Sequence, residues 1–581
     1  MGTISDKLMR IINTKEDIRQ ALISKGYDVP TSIPFKEYAK MILDLPCNAD
    51  SFPDIEGIVA RYSASGLTNE QMAANPVWAD KTGNGRDLQL KNFSWKRMSG
   101  VGGYVQDFND FRNNATVDKI RIDEQGSNSI KVTILTTGIG NAIYIPKNIY
   151  QFNKSYFIKI SSEGYDEGDM ALSFYAPSTS TATTVTVSLN PNGITEIPAI
   201  KEDDFLAVYI NVSGKVGSFT VEQLPLYPGA LVFDGVDDYG VCENFPILTK
   251  EKGYTVVVLR QWDQDFLNTT LTGGLLSTRN YSTGEGVAFE KIESSNKGYW
   301  NLGAGGIIDF AKSPFTWQTS KQYNNVGILK GDKNHGKPLC VGCGLSGGQQ
   351  CGRFAIWELV FLDHDATEEE LTKIKDYFVK TYPWLFPDQA WTTVGKTNED
   401  EDRATIANIT GNGNDLILSN FGFAEGSGYN EQGEYAGYLV TDGVDDKIVS
   451  SVFGMGKDFT IVGDWKLINT GKNDNAGIVK FDSIVIYNYN PILINIKNGR
   501  NNLIPDQNTV NAICSDGRIY SKDWKESIYN EETESTSKNL LTIGYSGNIY
   551  TKIAFKNLAI YPTVLSKEDC IKAYNYLQTL K

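Results

Sequence analysis

The sequence predicts a mainly β protein made of a small helical head, two copies of one β-sandwich, and a further small β-sandwich inserted into the first copy. Three observations carry this reading. Gly 55, Tyr 30 and 41% hydrophobic residues in a chain of 581 describe a globular protein rich in turns and strands, too long for a single core. Three sequence blocks recur in the same order in the two halves of the chain. The interval between the first two blocks, Trp95 to Leu231, exceeds its counterpart, Phe423 to Leu439, by about 120 residues.

Residues 1–50 form the head. SDKLMRIINTKEDIRQALISKG carries apolar residues at helical spacing behind Thr14 as N-cap, and Pro30 and Pro34 divide it from a second helix, FKEYAKMILDL. Two helices this short cannot bury both apolar faces against each other, so the head is expected to pack on copies of itself or on a partner.

The first repeated block pairs DKTGNGRDLQLKNFSW (Asp80–Trp95) with NITGNGNDLILSNFGF (Asn408–Phe423), a Gly/Asn turn entering a short strand. The second pairs LVFDGVDDYGV (Leu231–Val241) with LVTDGVDDKIV (Leu439–Val449), a strand meeting a tight Asp-Gly turn. The third pairs FAIWELVFLDHDATEEELTKIKDYFV (Phe354–Val379) with IAFKNLAIYPTVLSKEDCIKAYNYL (Ile553–Leu577). It reads as a half-buried strand followed by a helix capped by Thr367 or Ser566. The first sandwich is placed at 51–387 and the second at 388–581. The insertion, 107–228, contributes SIKVTIL, NAIYIP, SYFIKI, MALSFYA, TTVTVSL, GITEIP, FLAVYINV and GSFTVEQL, eight short alternating segments that fit a jelly roll or similar sandwich.

Composition excludes several roles. A net charge of −15 argues against coating nucleic acid or an anionic membrane surface, which takes a local excess of Lys and Arg. No apolar run is long enough to span a bilayer, and MGTISDKLMR lacks the apolar stretch of a signal peptide, so synthesis in the cytoplasm is expected. The seven Cys are odd in number and thinly spread, which predicts reduced thiols. His335 and His364 are the only histidines, leaving little material for histidine-based catalysis or a multi-His metal centre.

In WADKTGNGRDLQLKNF and LVFDGVDDYGV the chain resembles the laminin-G and concanavalin-A-like sandwich superfamily, and the resemblance continues through VNAICSDG, LTIG and the strand before the last helix. It spans most of 51–581 outside the insertion and implies fold more than function, since this sandwich hosts lectins, adhesion modules, glycosidases and spacers. The head, with INTKEDIRQALISKG followed by PFKEY, resembles the N-terminal segment of phage tail and fibre proteins, and the tandem sandwiches resemble virion fibre proteins of crAss-like and related phages of Bacteroidota. That resemblance implies a trimeric virion appendage, made in the host cytoplasm. Its head would dock on capsid or tail proteins, and its lectin-like domains would face host or mucus glycans. Neither nucleic acid nor membrane insertion belongs to this expectation.

Four groups of residues could carry chemistry. Asp234, Asp237 and Asp238, with Asp442, Asp445 and Asp446, could offer oxygens to calcium, but a duplicated Asp-Gly turn predicts that they stabilise the turn itself. His335, Cys340, Cys343 and Cys351 hold enough soft ligands for one zinc. The repeat counts against zinc: LCVG (Leu339–Gly342) matches LTIG (Leu541–Gly544), so Cys340 takes the place of Thr542 on a strand, GCGLSGGQQCG reads as a hairpin tip, and free thiols are expected. Cys514 aligns with Leu329 and reads as core. A glycosidase needs two carboxylates facing one cleft, the E-x-D-x-x-E strand of sandwich-fold glucanases is absent, and Glu368–Glu370 and Glu531–Glu534 read as solvated charge. Trp262, Trp300, Trp317 and Trp524 lie in polar sequence where an aromatic could stack on a sugar, although most Trp in a sandwich are core. The sequence therefore predicts a non-enzymatic binding protein, with no catalytic, cofactor or metal residue assigned.

Overall fold

The structure is a computed structural model. It describes residues 52–580 except 177–183, 203–204, 248–252, 268, 279–287, 292–296, 301–306, 310–325, 331–337, 346–348, 432–434, 469–476, 482–483, 488–491, 497–499, 505–509, 522–523, 525, 529–535 and 547–548. Of the first 51 residues it describes Lys15 and Arg19, both helical, so the helical head otherwise lies outside the described residues.

Two β-sandwiches repeat one strand order. In the first, one sheet runs Val326–Lys330, Thr255–Trp262, Arg353–Leu362, Leu231–Asp234, Gly100–Val101, with Ile58–Ser63 also paired to Arg353–Leu362. In the second, the order is Val510–Cys514, Thr460–Leu467, Ile553–Tyr561, Tyr438–Val440, Gly428–Asn430, with Gln389–Thr392 paired to Ile553–Tyr561. This sheet continues past Val510–Cys514 through Arg518–Ser521 to Glu526–Ile528. The facing sheets correspond in the same way, beginning Val77–Trp78, Leu88–Lys91, Tyr239–Cys242 in one and Thr405–Ile406, Leu416–Ser419, Lys447–Met455 in the other.

The third repeated block differs from its reading as a half-buried strand. In Arg353–Leu362, Phe354, Ile356, Leu359 and Phe361 enter the first sandwich core, while Ala355, Trp357, Val360 and Leu362 face the other way into a second core. A strand covered on both faces loses the polar half of its alternation, hence the unbroken FAIWELVFL. Ile553–Tyr561 divides likewise, with Phe555, Leu558 and Ile560 inward and Ala559 and Tyr561 outward. Between the outer faces lie two helices, α1 (Glu368–Thr381) and α2 (Lys567–Gln578). Thr367 caps α1 in a capping box with Glu370, and Ser566 caps α2 by accepting from the Asp569 amide at 3.0 Å. The two sandwiches therefore share one apolar layer, to which α1 brings Leu371, Ile374 and Phe378 and α2 brings Cys570, Ala573, Tyr576 and Leu577.

The insertion is a jelly roll. One sheet runs Val185–Leu189, Met170–Tyr175, Ala207–Val212, Asn141–Pro146, Arg112–Asn113, and the other Ile194–Ile197, Tyr156–Glu163, Gly217–Gln223, Ser129–Ile134, Ile120–Gln125. All pairings are antiparallel and enclose a core that includes Ile130, Val132, Phe174 and Val221. The eight segments read from sequence are all strands, and two more, Arg112–Asn113 and Ile120–Gln125, lie at sheet edges. Only Ile120 of IRIDEQ is buried, so the segment reads as polar. The chain enters and leaves the insertion at neighbouring points, since the Gly102 amide donates to Ala230 O and the Tyr227 amide to Gly102 O, both at 2.8 Å. Gly102 has φ +85°, and a Cβ there would meet Pro225 at 2.8 Å, so only glycine fits this crossing. The far side of the junction belongs to the first sandwich, because Trp357 Nε1 donates to Pro228 O at 2.8 Å.

Candidate functional site

The twin acidic turns are built alike. Asp238 is fully buried and accepts from the Ser99 hydroxyl at 3.0 Å and the Asp234 amide at 3.1 Å, while Asp234 Oδ1 accepts from the Val236 amide at 2.8 Å. In the second copy Asp446 accepts from the Ser427 hydroxyl at 3.1 Å and the Asp442 amide at 2.7 Å, and Asp442 Oδ1 accepts from the Val444 amide at 2.7 Å. Each trio, Asp234, Asp237, Asp238 and Asp442, Asp445, Asp446, brings carboxylate oxygens within 4.8 Å of one another. The two buried members tie the turn to the adjoining loop, which is the structural role read from the repeat. Burial, with Asp234 alongside, pushes Asp238 up to about 7, and burial pushes Asp446 up to about 6.

The cysteines depart from the reading as free thiols. Cys340 and Cys343 are joined in a disulfide, and Cys351 packs against them beneath Tyr239. Gly342, at φ +99°, folds the strand back so that the two sulfurs meet. The hairpin is confirmed, with Cys343–Leu345 antiparallel to Gln349–Cys351, and burial pushes the Cys351 thiol up to about 12. His335 lies outside the described residues. Cys514 is core, but its register matches Lys330 rather than Leu329, because Thr460 pairs with Cys514 where Thr255 pairs with Lys330. It consequently faces the shared layer, and Ile513 takes the inward place.

Of the tryptophans, Trp262 is wholly buried between Phe266 and Phe354 and belongs to the core. Trp317, the side chain of Trp300 and Glu531–Glu534 lie outside the described residues. Glu368–Glu370 occupy the first turn of α1, where Glu370 closes the capping box. Trp524 stands apart. It holds a left-handed backbone at φ 59° and borders a cleft of about 650 Å³ where the insertion and the second sandwich meet.

The insertion supplies Lys159 and Ser161 from one strand and Asn190, Asn192 and Gly193 from the adjoining turn. That turn is fixed from within: Asn190 Oδ1 accepts from the Asn192 amide at 3.1 Å, and Asn192 Oδ1 from the Ser162 amide at 2.9 Å. Both side-chain carbonyls are thereby used and the NH2 groups are left as donors. Leu224, Pro225 and Pro228, which link insertion to first sandwich, form an apolar wall. The second sandwich contributes Trp524, Glu526 and the α2 residues Lys567, Glu568, Ile571, Lys572 and Asn575.

An aromatic chain holds the sides together. Phe157 meets Tyr574 edge-on at 5.4 Å, and Tyr574 meets Trp524 at 5.6 Å and 87°. Lys572 donates to Asp569 at 3.0 Å and lies 4.2 Å over the Trp384 ring. The cleft thus sets amide and ammonium donors and two carboxylates around an apolar wall. Residues 159 to 575 join only in the folded chain, so no local pattern announces this cleft; Trp524 was its single signal in the sequence.

Among the described residues, no helix is long and apolar enough to cross a membrane. No family model and no curated protein matches the chain. Solved structures similar in part include the botulinum neurotoxin serotype D binding domain, at 9% identity and TM-score 0.23 over 57% of this chain and 88% of that one. Another is Trypanosoma rangeli sialidase in complex with the inhibitor DANA, at 8% identity and TM-score 0.24 over 78% and 82%. A third is the botulinum neurotoxin serotype D ligand binding domain in complex with N-acetylneuraminic acid, at 8% identity and TM-score 0.23 over 86% and 96%. At TM-scores this low the likeness transfers no property to this chain.

Proposed function

We propose that the chain is a non-enzymatic virion appendage that binds saccharides in the cleft between its insertion and its second sandwich. The observation that carries the saccharide reading is the lining of that cleft. Sugar hydroxyls both donate and accept, so they match a site offering Asn190, Asn192, Lys159 and Lys567 as donors and Glu526 and Glu568 as acceptors. The apolar face of a pyranose matches the wall of Leu224, Pro225 and Ile571. Virion attachment through residues 1–50 and trimeric association extend the resemblance of the head, and trimerisation would multiply a weak single-site affinity.

A glycan array probed with the intact chain tests the binding reading. Retention of saccharides that is lost in the Lys159→Glu/Lys567→Glu variant, with an unchanged melting temperature, is the expected result. Absence of any retained saccharide would make this a purely structural decoration protein. Release of reducing ends from capsular polysaccharide would instead make it a depolymerase. For the anchor, Ile18→Asp should yield particles lacking the appendage, because a charge on that apolar face is costly to bury. Full occupancy in the variant would remove the anchoring role.

A further inference from the structure

We infer that the cleft selects sugars bearing an acetamido group, an inference that rests on the saccharide reading of the same cleft. Asn575 of α2 lines it and is 3% exposed, and its Oδ1 has no hydrogen-bond partner. Folded proteins leave few buried acceptors unmade, and such an oxygen accepts one donor from whatever fills the space beside it. Beside it on α2 lie Lys572, whose ammonium is turned to Asp569 and the Trp384 ring, and Ile571. Ile571 lies one helical turn earlier on the same face, and Trp524, also 3% exposed, borders the same space.

A hydroxyl would satisfy Oδ1 but sets a second polar atom against Ile571 and Trp524. A secondary amide next to a methyl group gives one N–H for Oδ1 and an apolar surface for the side chains around it. That combination is an N-acetyl substituent on a sugar ring. The ring hydroxyls are left for the donors and carboxylates at the rim. Ligand donation to Asn575 would also tie α2 to the insertion, because Asn190 and Asn192 of the insertion line the same cleft.

The test measures affinity of the intact chain for matched saccharides of gluco, galacto and manno configuration that carry acetamido, free amino or hydroxyl at one ring position. The expected result is at least tenfold tighter binding of acetamido members, abolished in Asn575→Leu. Saturation-transfer NMR of the unmodified protein gives a readout independent of any variant, with the acetyl methyl as the most strongly saturated ligand signal. Equal binding of all three members, or a methyl no more saturated than the ring protons, would overturn the acetamido inference and leave the cleft standing as a saccharide site. Binding of none would overturn both.

Discussion

Arg61 and Glu358 form a buried ion pair that the second copy lacks. Arg61 Nε and Nη2 reach the two Glu358 oxygens at 3.2 Å each, and Tyr382 donates to the same carboxylate at 2.8 Å. Burial raises the Glu358 carboxyl against the lowering effect of Arg61. The register places Ala390 and Asn557 at these positions in the second copy, where Asn557 donates to Leu577 O at 3.3 Å. Arg61→Ala alone should lose about 3–5 kcal/mol of stability by leaving a carboxylate uncompensated, and adding Glu358→Asn should restore much of it. Chemical denaturation of the single and double variants checks this; additive losses would refute it.

The acidic turns give a pH dependence at the same scale. Asp238 near 7 and Asp446 near 6 lie above the ordinary 3.8, so the folded protein holds these protons more tightly than the unfolded chain. Their contribution to stability is full below about pH 3.8 and is lost as pH rises through 6 to 7. Asp238→Asn/Asp446→Asn should therefore gain in melting temperature relative to the natural chain between pH 4 and pH 7.5; a constant difference across that range would count against it. The turn was legible in the sequence because Asp-Gly twice follows a strand. The disulfide was not, since nothing local in LCVGCG reveals that Gly342 brings its two sulfurs together.

Among the elements, the insertion is separable by its geometry. Its ends meet at Gly102 and Tyr227, and its core is its own. Replacing residues 107–223 by a short loop should leave the first sandwich unfolding cooperatively, while removing Lys159, Asn190 and Asn192 from the cleft and so abolishing saccharide retention. Scanning calorimetry with the array checks both outcomes, and a loss of cooperativity would show that the sandwich depends on the insertion. Eight of its ten strands could be read from alternation. The remaining two lack the pattern, since Arg112–Asn113 is only two residues long and Ile120 is the one buried residue of Ile120–Gln125.

Across the whole molecule, the shared layer makes residues 388–581, uninterrupted in sequence, depend on the first sandwich for cover. Excised, that segment would expose Tyr561, Tyr574 and Tyr576, which are 0% to 4% exposed in the chain. It should aggregate or melt well below the intact protein, as size-exclusion chromatography and calorimetry would show; a soluble monomer with the intact melting temperature would restore the simpler picture. The repeat exposed two sandwiches, but how they join was hidden. The run FAIWELVFL carries the hint, since a strand without polar alternation needs cover on both sides, yet sequence alone does not identify the cover.

The position of α2 between both sandwiches and the insertion has a temporal side. It leaves the ribosome after every surface it contacts, so the apolar back of the first sandwich should stand partly uncovered until α2 arrives. A chain halted before Lys567 should leave that back open to proteases. Emergence of α2 would thus be the step that closes the layer between the two sandwiches.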